Sequence, residues 1–196
     1  FDPVRYISNP SSGKMGYGLA EAAVEAGWEV TLVSGPVCLS PPSGAQTHQV
    51  VTSEQMLNAV HACFPECDVL IMTAAVCDFR PAQYHAQKTK KEFAEWTVSF
   101  EPTPDILQSL MALKQHQTTI GFAAETNDIE ANARKKLREK NLDWIAANRV
   151  GIANSGFEAD ENEIKLIGKT GQEHDFGPAS KKLISRDMVA FLSEVA

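Results

Sequence analysis

The chain has 196 residues, 43% of them hydrophobic and 22% charged, which is enough apolar material for one well-buried domain. Its formal net charge of -7 argues against a general nucleic-acid surface, although clustered cations could still hold a polyanion. No apolar run reaches the roughly 18 residues of a membrane span, and the opening Phe1-Asp2-Pro3-Val4-Arg5 reads as the interior of something larger rather than a signal peptide.

In chain order, residues 12–26 are helix-like and close at Gly27. Residues 28–34 (WEVTLVS) form a strand ending at Gly35-Pro36, the proline-rich stretch 37–47 a loop, and 48–51 (HQVV) a short strand. Thr52 or Ser53 caps a helix running to about Cys63. The apolar run 68–76 (DVLIMTAAV) suits a strand buried on both faces. Residues 77–103 are irregular and rich in lysine. Thr103-Pro104-Asp105 supplies a cap, a first-turn proline and an acid facing the dipole, so a helix starts there. A buried strand (118–125), a charged helix (128–140), two strands (143–150 and 162–169) and a final helix (180–195) complete the chain.

This alternation predicts an α/β fold: three layers, helix–sheet–helix, around a mostly parallel, Rossmann-like sheet. Ligands of such sheets bind beyond the carboxyl ends of the strands, which points to the residues after Val33, Met72 and Phe122. The chain has no internal repeat or linker and reads as a single domain over 1–196. Cys38, Cys63, Cys67 and Cys77 include no Cys-x-x-Cys pair and read as buried, reduced thiols.

The stretch ISNPSSGKMGYG, residues 7–18, asks for a closer reading. A Walker A loop fails here, because Met15 follows Gly13-Lys14 and Ser8 stands where its first glycine belongs. Gly13, Gly16 and Gly18 lack the dinucleotide spacing, and Pro10 interrupts the turn. What remains is an anion site: Ser11, Ser12 and Gly13 offer small residues and free N–H groups at a helix start, with Lys14 adding charge. A glycine-rich helix start packed close on the sheet is the plainer alternative.

The ordered set DPVRYISNPSSGKMG (2–16), AAVCDF (74–79), KTKK (88–91), TPDIL (103–107), GFAAET (121–126), ARKKLREKNLD (133–143) and the Ala-Asn at 147–148 closely resembles phosphopantothenoylcysteine synthetase, the ligase domain of coenzyme A biosynthesis. In many bacteria this domain follows a flavin-dependent decarboxylase, which, if present, would carry FMN. The resemblance covers essentially the whole chain. One departure is the start: the family's first strand and its Gly-Gly-Thr-type turn have no counterpart before Asp2, so the sheet is expected to lack that strand.

The resemblance implies a ligase that activates the carboxylate of 4′-phosphopantothenate with CTP. It forms an acyl-cytidylate, releases pyrophosphate, and passes the acyl group to L-cysteine with loss of CMP. Two anions approach each other in the first step, so cations, Mg2+ and N–H donors must be placed beforehand. Asn9 matches the asparagine that holds the acyl-cytidylate. Lys88 matches the first lysine of a Lys-x-Lys-Lys motif in a mobile flap, around residues 80–100, that covers the triphosphate; Lys90 and Lys91 extend its charge. Ser11, Ser12, Gly13, Ala74, Ala75, Pro104, Asp105, Ile106, Leu107, Phe122, Lys136 and Lys140 fall on nucleotide-binding positions. Asp78, just after the strand that ends near Val76, is the candidate contact to nucleotide or Mg2+. Pro102-Thr103 stands where many bacterial members have Lys-Asn, and Arg149 receives no role. A cytoplasmic homodimer, fused to or assembled with the decarboxylase, is the setting the resemblance implies.

Two other readings stay open. Tyr84 and Lys88 fit the Tyr-x-x-x-Lys pair of short-chain dehydrogenases, but no glycine fingerprint accompanies them and Val33-Ser34-Gly35-Pro36 offers no acid. A catalytically silent nucleotide-binding module is the third; the lysine flap and Asn9 argue against it.

Overall fold

The computed structural model describes residues 1–91, 96–125, 127–149 and 159–195, without the side chains of residues 125 and 149. The elements in chain order are α1 (Lys14–Glu25), β1 (Thr31–Ser34), β2 (Gln46–Gln49), α2 (Ser53–Cys63), a 3-10 turn (Phe64–Glu66), β3 (Val69–Met72), β4 (Phe79–Pro81), β5 (Phe100–Pro102), α3 (Ile106–Leu110), β6 (Thr118–Glu125), α4 (Ile129–Glu139), β7 (Trp144–Arg149), β8 (Glu161–Gly168), β9 (Glu173–Ser180) and α5 (Lys181–Val195).

The main sheet has the order β3-β6-β7-β8-β9. β3, β6 and β7 run parallel, and β8 and β9 extend the sheet antiparallel. One face is covered by α1 and α5: Leu19, Ala22 and Ala23 meet Ile184, Met188, Val189 and Leu192 over Ile120, Ala146, Ile164 and Leu166. Ile184, Met188 and Leu192 recur at four-residue spacing, the apolar stripe that makes a helix a lid. α1 and α5 lie side by side and parallel, tied by Lys182–Glu21 (3.1 Å) and Arg186–Glu25 (2.9 Å). Gly18 allows that approach, since a Cβ there would stand 2.8 Å from Ser185 Oγ. The other face is covered by α4, through Ala133 and Leu137, and by α2 and α3, through Met56, Val60, Ile106 and Leu110. The three-layer α/β expectation holds.

The sheet is nevertheless in two pieces. β1 and β2 pair parallel with each other, and β1 has no ladder to β3 among the described residues. Both helix layers span the two pieces: Val30, Val69 and Ile71 pack on the α1–α5 side, Val33, Leu70 and Met72 on the α2–α3 side. β1 and β3 thus each keep an edge that is unpaired among the described residues, between shared helix layers.

Several boundaries differ from expectation. β1 begins at Thr31, with Trp28 and Val30 packing beside it rather than in it. β2 begins at Gln46, inside the expected loop, and β3 stops at Met72 rather than Val76. The irregular stretch 77–103 contains two short antiparallel strands, β4 and β5. β9 was not expected at all. Its only buried residue is Phe176, so it carries no alternating signal and forms because β8 offers it a ladder. α3 has five residues and is capped by Asp105, whose side chain accepts from the Gln108 N–H (3.1 Å); Pro104 therefore precedes the cap instead of entering the first turn. The four cysteines are free, but none is fully buried as expected: Cys38 is exposed, and Cys63, Cys67 and Cys77 are half-buried.

Candidate functional site

The carboxyl end of β3 and the start of α1 are pressed together. A Cβ on Gly16 would lie 2.5 Å from Thr73 Oγ1, so glycine is what lets the first turn of the helix reach the strand end. Gly13 caps α1 in the left-handed region (φ 76°), which leaves the first N–H groups of the helix without a capping side chain at that residue. Ser11 N–H folds back onto the Asn9 carbonyl (2.8 Å), and the Asn9 side-chain amide donates to the carbonyl of Ala75 (3.1 Å). Residues 9–13 and 74–75, separated by some sixty positions in sequence, thus form one edge. Lys14 turns away to Asp160 (2.6 Å).

A second chain of contacts runs from Asp78. Its carbonyl accepts from Thr103 N–H (2.9 Å), while the Thr103 hydroxyl donates to the Cys77 carbonyl. Two residues on, Asp105 pairs with Lys140 at the end of α4 (2.9 Å). Burial pushes the Asp105 carboxyl up, but hydrogen bonds from Lys140 and the Gln108 N–H outweigh it and hold the group below the ordinary range. Ala75, Asp78, Pro104, Asp105 and Lys140 therefore follow one another along the rim, by bonds or by sequence. Ile106 is buried against α2, so it offers a ligand only its main chain, whereas Leu107 is half-buried and packs near Gly121. Phe122 lies within β6, three residues before its end, half-buried against the α1–α5 cluster together with Met15. Lys136 is half-buried on α4. Part of the expected flap, residues 92–95, and Thr126 lie outside the described residues, as does the Arg149 side chain.

Lys88, Lys90 and Lys91 are exposed, and the Lys88 ammonium has no partner among the described residues. Asp78 is likewise exposed. Among the described residues no three His, Cys, Asp or Glu side chains gather to cage a metal. A single open carboxylate suits Mg2+ that arrives already bound to phosphates, since that ion keeps most of its shell as water and phosphate oxygen.

Sequence reading named Asn148 but gave it no role. Its Oδ1 is buried without a hydrogen-bond partner among the described residues, on β7 between Ala124 of β6 and Ile164 of β8. The available signal was an amide at the end of the buried run WIAA. The dehydrogenase alternative gains nothing from the geometry. Tyr84 is 67% exposed, and Ser34 at the end of β1 is occupied with the Tyr17 hydroxyl (2.9 Å).

Comparison with known proteins agrees with this arrangement. The family model for the DNA/pantothenate metabolism flavoprotein C-terminal domain matches residues 1–195. The coenzyme A biosynthesis bifunctional protein CoaBC of Vibrio vulnificus is 46% identical over 175 residues, covering 88% of this chain and 44% of that protein. Its namesake in Bacillus subtilis is 44% identical over 196 residues, covering 100% of this chain and 48% of that protein. The chain thus spans less than half the length of these relatives. A crystal structure of the C-terminal domain of a bifunctional CoaBC superposes with a TM-score of 0.83 at 41% identity, over 98% of this chain and 87% of that one.

Proposed function

The chain belongs to the family of the DNA/pantothenate metabolism flavoprotein C-terminal domain, and from that premise we propose that it is the ligase that joins 4′-phosphopantothenate to L-cysteine at the expense of CTP. The observation that carries the reading is the bond from the Asn9 amide to the Ala75 carbonyl (3.1 Å), which brings the polar loop before α1 onto the carboxyl end of β3. That is the place where a parallel sheet holds a nucleotide.

In the first step a carboxylate oxygen of phosphopantothenate attacks the α-phosphorus of CTP. The bond to the bridging oxygen breaks, and pyrophosphate departs. The N–H groups at the α1 start and the Lys88 ammonium stabilise charge on the polyphosphate. Lys140 is held toward this rim by Asp105 and Lys136 lies on the same helix; both add positive potential at the nucleotide. Asp78 would hold Mg2+ brought in with the triphosphate, and the ion would supply neutralisation of phosphate charge there. In the second step the amine of cysteine attacks the acyl carbon, the bond from that carbon to the phosphate oxygen breaks, CMP leaves, and the amine gives up a proton to solvent. The Asn9 amide, released from Ala75, donates to the acyl oxygen and makes the carbon a better electrophile.

The same reading includes the segment around Lys88 as a flap that moves over the triphosphate, and a homodimer formed through exposed apolar residues: Tyr6, Ile7, Phe79 of β4 and Phe100 of β5. It also includes a decarboxylase with FMN as a fused or associated partner. One assay tests the core of it. Pyrophosphate release is followed with CTP or ATP, with and without phosphopantothenate and cysteine. Release that needs phosphopantothenate and prefers CTP, with amide product only when cysteine is added, is expected. Nucleotide hydrolysis indifferent to phosphopantothenate would sink the proposal.

A further inference from the structure

The start of the chain grips the lysine segment through one carboxylate. The Asp2 side chain is fully sealed from solvent, although it sits in an otherwise open stretch. Its Oδ1 accepts from the N–H groups of Val4 (2.9 Å) and Arg5 (3.0 Å). Its Oδ2 accepts from the Arg5 guanidinium, through Nε at 3.1 Å and through Nη2, and from the N–H of Thr89 (3.1 Å). Arg5 Nη2 then donates to the carbonyl of Thr89 (2.8 Å). A buried carboxylate survives only with such a full set of donors. Arg5 and its hydrogen bonds hold its pKa well below the usual carboxylate range, so the pair is charged at any working pH.

The consequence lies in what is gripped. Thr89 stands between Lys88 and Lys90. Bonding its N–H to Asp2 and its carbonyl to Arg5 fixes the peptide planes on both sides of it, including the one that Lys88 contributes. Four residues upstream of Thr89, the His85 N–H donates to the Phe1 carbonyl (2.9 Å). The stretch 85–89 is therefore pinned at both ends to residues 1–5. Arg5 is covered by Trp96, its guanidinium carbon 4.5 Å from the ring centroid, and Phe1 packs on the same ring at 5.7 Å. Four residues past Arg5, the same segment presents Asn9 to Ala75. One short run of chain thus sets the place of both Asn9 and Lys88.

We propose that Asp2 is a positioning residue: with Arg5 it clasps the backbone at Thr89 and so fixes where the Lys88 ammonium stands relative to Asn9. The inference rests on the ligase reading, in which Lys88 meets the triphosphate. Its logic is that a flap that moves must return the root of its lysine to one position, which the clasp defines, for a flexible stem to reach a phosphate oxygen repeatedly. A root displaced by about an ångström costs on the order of 10²-fold in rate.

The test is a cycle of three variants, Asp2→Asn, Lys88→Gln and the pair combined, read as single-turnover pyrophosphate release from CTP with phosphopantothenate and no cysteine. Asp2→Asn is expected to slow release by about 10²-fold. In the Lys88→Gln background the same change is expected to cost less than about threefold more, because a clasp that acts through Lys88 has nothing left to position. A merely structural role would multiply the two losses. Full multiplication, or a parental rate for Asp2→Asn beside a crippled Lys88→Gln, overturns the clasp and leaves the ligase reading standing. A parental rate for Lys88→Gln removes the lysine from the chemistry and takes the clasp with it. Should Asp2→Asn fail to fold, Thr89→Pro deletes the amide donor while keeping the Asp2–Arg5 pair. Slow release is expected of it, and a parental rate overturns the clasp.

Discussion

Ile120, Ala146, Ile164, Leu166 and Ile184 are sealed from solvent on β6, β7, β8 and α5, whereas the four residues of β3 and two of the four in β1 are only half-buried. The first region has long strands in a continuous ladder under two parallel helices. The second has four-residue strands with unpaired edges among the described residues, a three-residue strand pair, and loops joined by a few polar contacts such as Asn9–Ala75, Thr103–Asp78 and the bonds of Asp2 and Arg5 to Thr89. Nearly all the residues assigned to the reaction lie in the second region. Burial makes the scaffold stable, and individual polar contacts, each removable without touching the core, set the site.

That contrast can be broken deliberately. The largest effect belongs to the scaffold: Leu192→Ala, at a fully buried position of α5, should cost about 2–5 kcal/mol in denaturant unfolding, with the turnover of the folded fraction unchanged. A comparable effect in the other region should be purely chemical. Asn9→Asp removes the amide donor and should slow amide formation about 10²- to 10³-fold while pyrophosphate release persists and the unfolding midpoint stays put. A variant that makes product at the parental rate would contradict the carbonyl-donor role. Thr52→Ala should cost about 1 kcal/mol in stability and nothing in rate, because it opens the capping box of α2, where Thr52 accepts from Gln55 N–H (3.1 Å).

A further contrast is a pH dependence inside the scaffold. Asp143 ties the starts of β6 and β7, accepting from Lys114 (2.6 Å), Thr119 N–H (2.8 Å) and Lys169. Burial raises its pKa, but those donors more than reverse the shift and bring it down to about 2. The folded value lies below the unfolded one of about 3.9, so the stabilisation is complete above about pH 4 and is lost as the pH falls toward 2. Asp143→Asn should flatten the fall in stability across that window; an unchanged slope would show that other carboxylates set it.

How much could be read beforehand differs between the same two regions. α2 was placed by its capping residues and β3 by an apolar run, because a helix cap and burial on both faces each leave a local mark in the sequence. β4, β5 and β9 leave none. Each has at most one buried side chain and exists because a neighbour presents free N–H and carbonyl groups. At the candidate site Asn9 and Lys88 were legible as parts of ordered motifs. Asp2 was visible only as the first letter of one, and Asn148 only as an amide in a buried run, since neither a sealed carboxylate nor an orphan acceptor has a composition of its own.

By itself the sequence determined the α/β alternation, the capped start of α2 and the glycines that allow α1 against β3 and α5. These are short-range properties, fixed by propensity, capping and apolar spacing over a few residues. Only the tertiary structure decided that the sheet is split between β1 and β3, that Ile106 and Leu107 face the core, and that a carboxylate at position 2 holds a peptide at position 89. Those outcomes depend on which distant groups can satisfy one another once water is excluded, and no local pattern encodes that pairing.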